Sequence, residues 1–472
     1  MQAYDWLVIV APELILLLTI FAILILDGSS CKCAKQLQHN LSCASLIGAA
    51  LALYWLNPNL PKILFKDCVI LDNFALVAKI FILLASVCIL IYSKNYMRQR
   101  DIMHSEYYAL TLLSVIGSML VVSAGNFLGL YLGLELMALP LYALVVFQKN
   151  NYQGSEAGLK YFIIGCLGAT LFLYGISLIY AAHGDLDFAS VVSLSKLEYK
   201  LGVLFVLIGL FIEFGVFPFH MWLPDVYQAA PVSVSLLIAT LPKISVFAAL
   251  MRLLSSAFSA IEIDWVQLML FAGLASIIFG NLLALLQVNV KRLLAYATVS
   301  HIGFILLAMA LAPVVYYTNA LFYMINYAIT MLALFGVLLK LSSATKDIQT
   351  IYDLNGLGQT QPWTAFLFVI LLLSLAGIPP TLGFHAKYLI LQALLDNNLW
   401  QIALVSLVFS VVGMYYYLNI IKLMYFCEPK DGEQSLGSFN FMQNSLLSFN
   451  ALTLLFLGCA PACLFYVIKY AT

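Results

Sequence analysis

Seven charged side chains stand inside long apolar runs of this sequence: Glu13, Lys79, Glu135, Lys160, Glu213, Lys243 and Lys387. Glu135 lies near the middle of FLGLYLGLELMALPLYALVVF, with Pro140 five residues on. Lys243 lies near the middle of LLIATLPKISVFAALM, directly after Pro242, which deprives the Ile238 carbonyl of its helical donor. Burial disfavours the charged form of either group, and an opposite charge nearby restores it. A carboxylate and an amine so placed change protonation when a partner moves, which is the chemistry of a proton relay. His220, His301 and His385 stand beside broken or mid-run backbone, and imidazole titrates near neutral pH. Each position also has a plainer reading. Glu135 could be a carboxylate neutralised by burial or held in a structural ion pair, and Lys243 a purely structural lysine. Lys160 could snorkel to an interface, and the histidines could be hydrogen-bonded structural groups. Glu13 and Lys79 stand apart from the others, near the start of the chain.

The elements that would hold these groups follow from composition. Of 472 residues, 64% are apolar and 9% charged, and 22 Lys+Arg balance 22 Asp+Glu. Too few charges are present to cover a soluble core of that apolar content. The zero net charge leaves no electrostatic hold on nucleic acid. The chain is therefore an all-α polytopic membrane protein. Apolar runs fall at about 6–27, 41–57, 72–92, 107–124, 127–147, 157–182, 201–221, 228–253, 265–287, 293–313, 316–342, 363–394, 399–426 and 445–470, which predicts about 14 spans. The N-terminal run lacks a basic n-region and a cleavage site, so it reads as a first span and not a removed signal.

Lys32, Lys35, Lys94, Arg98, Arg100, Lys149, Lys291, Arg292, Lys340, Lys346, Lys422 and Lys430 follow odd-numbered spans. Lys62, Lys66, Lys196, Lys200, Arg252 and Lys469 follow even-numbered ones. The bias places the odd loops in the cytoplasm and both termini outside. Two spans are interrupted, the seventh at Gly215-Val-Phe-Pro218-Phe-His220 and the twelfth at Ala376-Gly377-Ile-Pro379-Pro380. Such backbone survives at membrane depth only when packed in protein or lining a hydrated cavity. The breaks are five spans apart, an odd number, so the second unit would be inserted upside down. Paired breaks of this kind mark inverted-repeat transporters.

The cysteines (31, 33, 43, 68, 88, 166, 427, 459 and 463) are scattered, and the close pair Cys31 and Cys33 has no second pair to complete a metal site. No HExxH, Walker-type or GxGxxG pattern occurs, so the chain is read as holding no nucleotide, flavin or metal.

Four segments, GLELMALPLYALV (133–145), PFHMWLPDVYQAAP (218–231), NVKRLLAYATVSHIGF (289–304) and SLAGIPPTLGFHAK (374–387), resemble the antiporter-like membrane subunits of proton-pumping NADH–quinone oxidoreductase, complex I. They span most of the chain in the family's order. Asp225-Val-Tyr-Gln-Ala-Ala-Pro231 is typical of one branch, whose larger paralogues carry a histidine segment where this chain has LIATLPK. The chain also stops at its fourteenth span, without the long lateral helix of the largest member.

The resemblance implies two inverted five-helix repeats, at 107–253 and 265–426, between an N-terminal segment 1–106 and a final span at 445–472. It implies a proton route through Glu135, Lys243 and Lys387, with Lys160 and His301 at positions polar in relatives. It implies no redox centre in this chain: NAD, FMN, iron–sulfur clusters and quinone belong to partner subunits. Its partners would be other complex I membrane subunits and the lipid bilayer, in a bacterial inner membrane. One position departs. Relatives place a lysine five residues before the proline of the PFH segment, where this chain has Glu213. Two adjacent buried carboxylates tend to share a proton, and Lys160 is expected to supply the missing positive charge between Glu135 and Glu213.

On this reading a signal from electron transfer shifts Glu135, alters the proton affinity of Lys243, and drives protons along a Lys243–His301–Lys387 axis. Moving a proton against 100 mV costs about 2.3 kcal/mol, and a change of about two pKa units supplies roughly 2.7 kcal/mol. One switching lysine is in range. The same fold also serves Mrp-type Na⁺/H⁺ antiporter subunits, and a non-conducting spacer is a third possibility.

Overall fold

In a bilayer every backbone polar group must be satisfied within the protein, so apolar runs of this length form helices. The computed structural model describes residues 2–28, 34–56, 60–64, 67–148, 151–188, 197–256, 265–311, 315–343, 347–429 and 439–471. The helices are α1 (Gln2–Asp27), α2 (Ala34–Leu56), α3 (Asn73–Gln99), α4 (Ser105–Ser123), α5 (Phe127–Val145), α6 (Tyr152–His183), α7 (Leu197–Phe214), α8 (Trp222–Ala229) and α9 (Val232–Ser255). They continue as α10 (Trp265–Leu285), α11 (Val290–Ala310), α12 (Val315–Leu341), α13 (Leu357–Thr360), α14 (Pro362–Ala376), α15 (Leu382–Asp396), α16 (Trp400–Phe426), α17 (Phe441–Cys459) and α18 (Pro461–Ala471). Among the described residues, 12 helical stretches are long and apolar enough to cross a membrane, with α7 and α8 together forming one of them.

Helix falls on every predicted apolar run, and the differences are local. A hairpin of β1 (Lys62–Leu64) and β2 (Val69–Leu71), antiparallel with Ile63 opposite Ile70, fills the connection between α2 and α3. The last run is two helices, because Pro461 has no N–H to continue the ladder and opens α18 at its first position. Pro12, Pro140 and Pro242 are accommodated inside continuous helices. Asp72, Asn126, Asn151 and Asn289 cap α3, α5, α6 and α11 by accepting from backbone N–H groups of the first turn. Cys43, Cys68, Cys88, Cys166, Cys427, Cys459 and Cys463 are free thiols. Cys31, Lys32, Cys33, Lys66, Lys149, Lys196, Lys346 and Lys430 lie outside the described residues.

The chain divides into two compact units, one of Met1–Phe214 with Thr240–Ile263, the other of Gly215–Ala239 with Asp264–Tyr470. In the first, α1 packs on α2 and α4, α4 on α5, and α6 on α7. In the second, α10 packs on α11 and α16, and α12 on α15 and α17. Glycines set the closest approaches. A Cβ added at Gly202 on α7 would stand 2.8 Å from the Gly175 carbonyl of α6, and one at Gly273 on α10 would stand 2.9 Å from the Gly303 carbonyl of α11. Without a hydrophobic force between helices in lipid, small residues let backbones meet and gain dispersion contact.

Candidate functional site

In the first unit α7 stops at Phe214, where Gly215 turns into the left-handed region at φ +82. The last carbonyls of a helix have no donor within it and carry its negative dipole end. Lys243, fully buried on α9, supplies one. Its Nζ donates to the carbonyl oxygens of Phe214 at 2.8 Å and Glu213 at 3.1 Å. The Glu213 side chain is half-buried, and its Oε2 is buried without a hydrogen-bond partner. The charges of Lys243 and Glu135 and the Tyr142 hydroxyl act on this carboxylate. Tyr142 stands edge-on to the buried Tyr161, ring centroids 4.5 Å apart.

The structure thus brings Glu213 and Lys243 together, with Glu135 acting electrostatically on Glu213, and corrects the expectation for Lys160. Lys160 is exposed and pairs with Glu156 one turn earlier on α6, at 2.8 Å. An (i, i+4) partner on its own helix satisfies a lysine at little entropic cost. The positive charge beside Glu213 is that of Lys243.

The second unit repeats the device. α14 ends at Ala376, and Gly377 at φ +80 closes it: its N–H donates to the Leu373 and Ser374 carbonyls, and Ile378 N–H donates to Leu373 at 3.0 Å. Lys387, one turn into α15, reaches back. Its Nζ donates to the Ala376 carbonyl at 3.0 Å and to Ser410 Oγ of α16 at 2.9 Å, and lies 5.5 Å from the Phe304 ring centroid. A Cβ on residue 377 would stand 2.7 Å from Lys387 Cδ, so glycine serves both the turn and the passage of the lysine stem.

His301 on α11 is buried between two phenols. Its Nδ1 is 2.7 Å from the Tyr323 hydroxyl of α12, and its Nε2 is 3.3 Å from the Tyr417 hydroxyl of α16. The Lys387 charge acts on it. Tyr417 adjoins Tyr416, whose hydroxyl donates to Asn281 Oδ1 at 3.0 Å, while Asn281 Nδ2 donates to Ser300 Oγ at 2.7 Å. The Tyr327 hydroxyl, with one proton to donate, lies 3.1 Å from the Ala239 carbonyl and 3.2 Å from Thr298 Oγ1, the former adjacent to the carbonyl that Pro242 leaves without a helical donor. His220 and His385 take quieter places. His220 stacks on Phe217 with Tyr296 edge-on, and His385 Nε2 meets the Gly458 carbonyl at 2.9 Å. The first break is also held by Ser276 Oγ, which accepts from Phe217 N–H at 3.0 Å.

Tyr323, Tyr416, Tyr417, Asn281, Ser300 and Ser410 were not among the residues singled out from the sequence. Tyrosine counts as apolar in a span, and only its partner shows that its hydroxyl is in use. Among the described residues no group of three or more His, Cys, Asp or Glu could hold a metal.

A fold of antiporter-like helices with two lysine-capped helix breaks defines the class. The chain belongs to the NADH:quinone oxidoreductase/Mrp antiporter transmembrane family, whose model matches residues 124–413. It is 39% identical to the NADH-quinone oxidoreductase subunit N of Herminiimonas arsenicoxydans, over 98% of each chain. Among solved structures it is similar to a chain of respiratory complex I from Thermus thermophilus with bound aureothin, at TM-score 0.82 and 29% identity, covering 96% of this chain and 98% of that one. A chain of the Mrp complex from Dietzia sp. DQ12-45-1b shares the fold, at TM-score 0.85 and 21% identity, over 98% and 96%.

Proposed function

We propose that this chain is the N-type membrane subunit of NADH–quinone oxidoreductase and carries protons across a bacterial inner membrane while other subunits move electrons from NADH to quinone. Full-length similarity to relatives of that name supports the assignment. NAD, FMN, iron–sulfur clusters and quinone reside in those partners. The observation that carries the mechanism is the repeated lysine cap at the ends of α7 and α14. A helix end holds an ammonium by its dipole and its free carbonyls. A neutral amine loses the charge term, so closing or opening the break changes how firmly the lysine keeps its proton. Glu135 and Glu213 would set that balance at Lys243, and His301 with its tyrosines would serve Lys387.

The chain would cross the membrane 14 times, its two repeats (107–253 and 265–426) inverted, with odd loops cytoplasmic and both termini outside, as the Lys/Arg bias favours. The test is NADH-driven proton pumping by the whole complex in inverted membrane vesicles. Lys243→Met and Lys387→Met should each lower the proton-to-electron ratio in assembled complex, and wild-type ratios would refute the role. The Mrp-type reading predicts a Na⁺ requirement instead, and pumping unchanged by Na⁺ removal counts against it.

A further inference from the structure

Two glutamates among the described residues hold a buried carboxylate oxygen with no hydrogen-bond partner, Glu213 and Glu13. Each stands with a buried lysine. Glu213 is in the field of Lys243, as above. Glu13 Oε1, on α1, accepts from Lys79 Nζ, on α3, at 2.7 Å, and the two residues are 8% and 1% exposed. Both lie outside residues 124–413, the segment that the family model matches.

A pair kept for structure alone is expected to satisfy both carboxylate oxygens, because a buried acceptor left open costs more than a made hydrogen bond returns. Glu13 keeps Oε2 open. An incoming proton, or the water that brings it, binds there. Protonated Glu13 is neutral, and Lys79 then loses its counter-charge and releases a proton to the next acceptor. One proton enters on the acid, one leaves from the amine, and transfer from Glu13 back to Lys79 resets the pair.

A route in would run along α3. Asp72 caps its first turn, accepts from Arg252 Nη2 of α9 at 3.1 Å, and keeps a third of its side chain exposed. It is two helical turns from Lys79, about 10 Å along the helix axis.

We propose that Glu13 and Lys79 form a second proton-carrying acid–lysine site in the first unit, reached from the Asp72–Arg252 end of α3. The proposal rests on the pumping role above.

The test compares Glu13→Gln, Lys79→Met, the double variant and Lys79→Arg in the whole complex, with Lys243→Met alongside. Assembly is scored on native gels, and the proton-to-electron ratio is measured in inverted vesicles. A proton-carrying pair predicts a lowered ratio in each assembled variant, with the double no better than the worse single. Lys79→Arg keeps the ion pair but does not give up its proton. It should assemble and still show the lowered ratio, so it carries the test if the neutral variants fail to assemble. A wild-type ratio in the double variant or in Lys79→Arg overturns the proposal. If Lys243→Met also pumps normally, the underlying pumping role fails instead.

Discussion

Replacing Lys387 by methionine removes an ammonium while keeping an unbranched side chain of similar length. Two hydrogen bonds disappear, to the Ala376 carbonyl at 3.0 Å and to Ser410 Oγ at 2.9 Å. Hydrogen bonds to a charged group contribute roughly 1.5–3 kcal/mol each, so the capped state loses about 3–6 kcal/mol as an upper range. Each 1.4 kcal/mol is about tenfold in an equilibrium, so the lower figure already depopulates the capped state by about two decades. The α14 end then frays, because Ala376 is left with a carbonyl facing an apolar side chain. Lys387→Arg separates charge from proton release. Its guanidinium still donates to helix-end carbonyls but stays protonated, so it should assemble and restore the cap without restoring transfer. The assay is the proton-to-electron ratio in inverted vesicles, with hydrogen exchange of the 372–384 segment in purified complex. Expected are fast exchange and a low ratio in Lys387→Met, and near-wild-type exchange with a low ratio in Lys387→Arg. A wild-type ratio in either variant refutes the role of Lys387 as a proton station, and unchanged exchange in the methionine variant refutes the cap.

Further outcomes follow from the same geometry. Tyr417→Phe removes a partner of His301 Nε2 and should cost about 1 kcal/mol of stability, with a partial loss of pumping; thermal melting and vesicle pumping check both. Gly413→Ala places a Cβ 2.5 Å from Asn281 Oδ1, so it should displace Asn281 from Tyr416 and lower pumping more than Tyr417→Phe does. Lys160→Ala deletes an exposed pair worth at most about 0.5 kcal/mol, and its pumping should match wild type; a clear loss would reinstate Lys160 as a partner of the relay. Gly377→Ala pays the left-handed backbone cost of roughly 1–2 kcal/mol and collides with the Lys387 stem, so it should behave like Lys387→Met in hydrogen exchange.

The class of this protein is written in its composition. With 9% charged residues there is no soluble solution, and the interruption of two spans follows from Gly and Pro at 215–218 and 377–380. That Glu135, Glu213, Lys243 and Lys387 stand inside apolar runs could be read directly, because position along a run is a one-dimensional property. The motifs around them carried the family. Azimuth and partnership were another matter. A helix buried on all sides has no polar face from which to read its rotation, so the apolar runs did not say which way a lysine points.

Lys243 meets α7 across 30 residues, Lys79 meets Glu13 across 66, and His301 meets Tyr417 across 116. Only helix packing makes those neighbours, and packing here is decided by glycine contacts and by the need to pair each buried charge. The same need misled the expectation for Lys160, which found Glu156 on its own helix and left Glu213 to Lys243. Sequence alone determined that the charges had to be paired. Tertiary structure chose the partners, because a buried ammonium settles on whichever carbonyls and carboxylates the packed helices leave open.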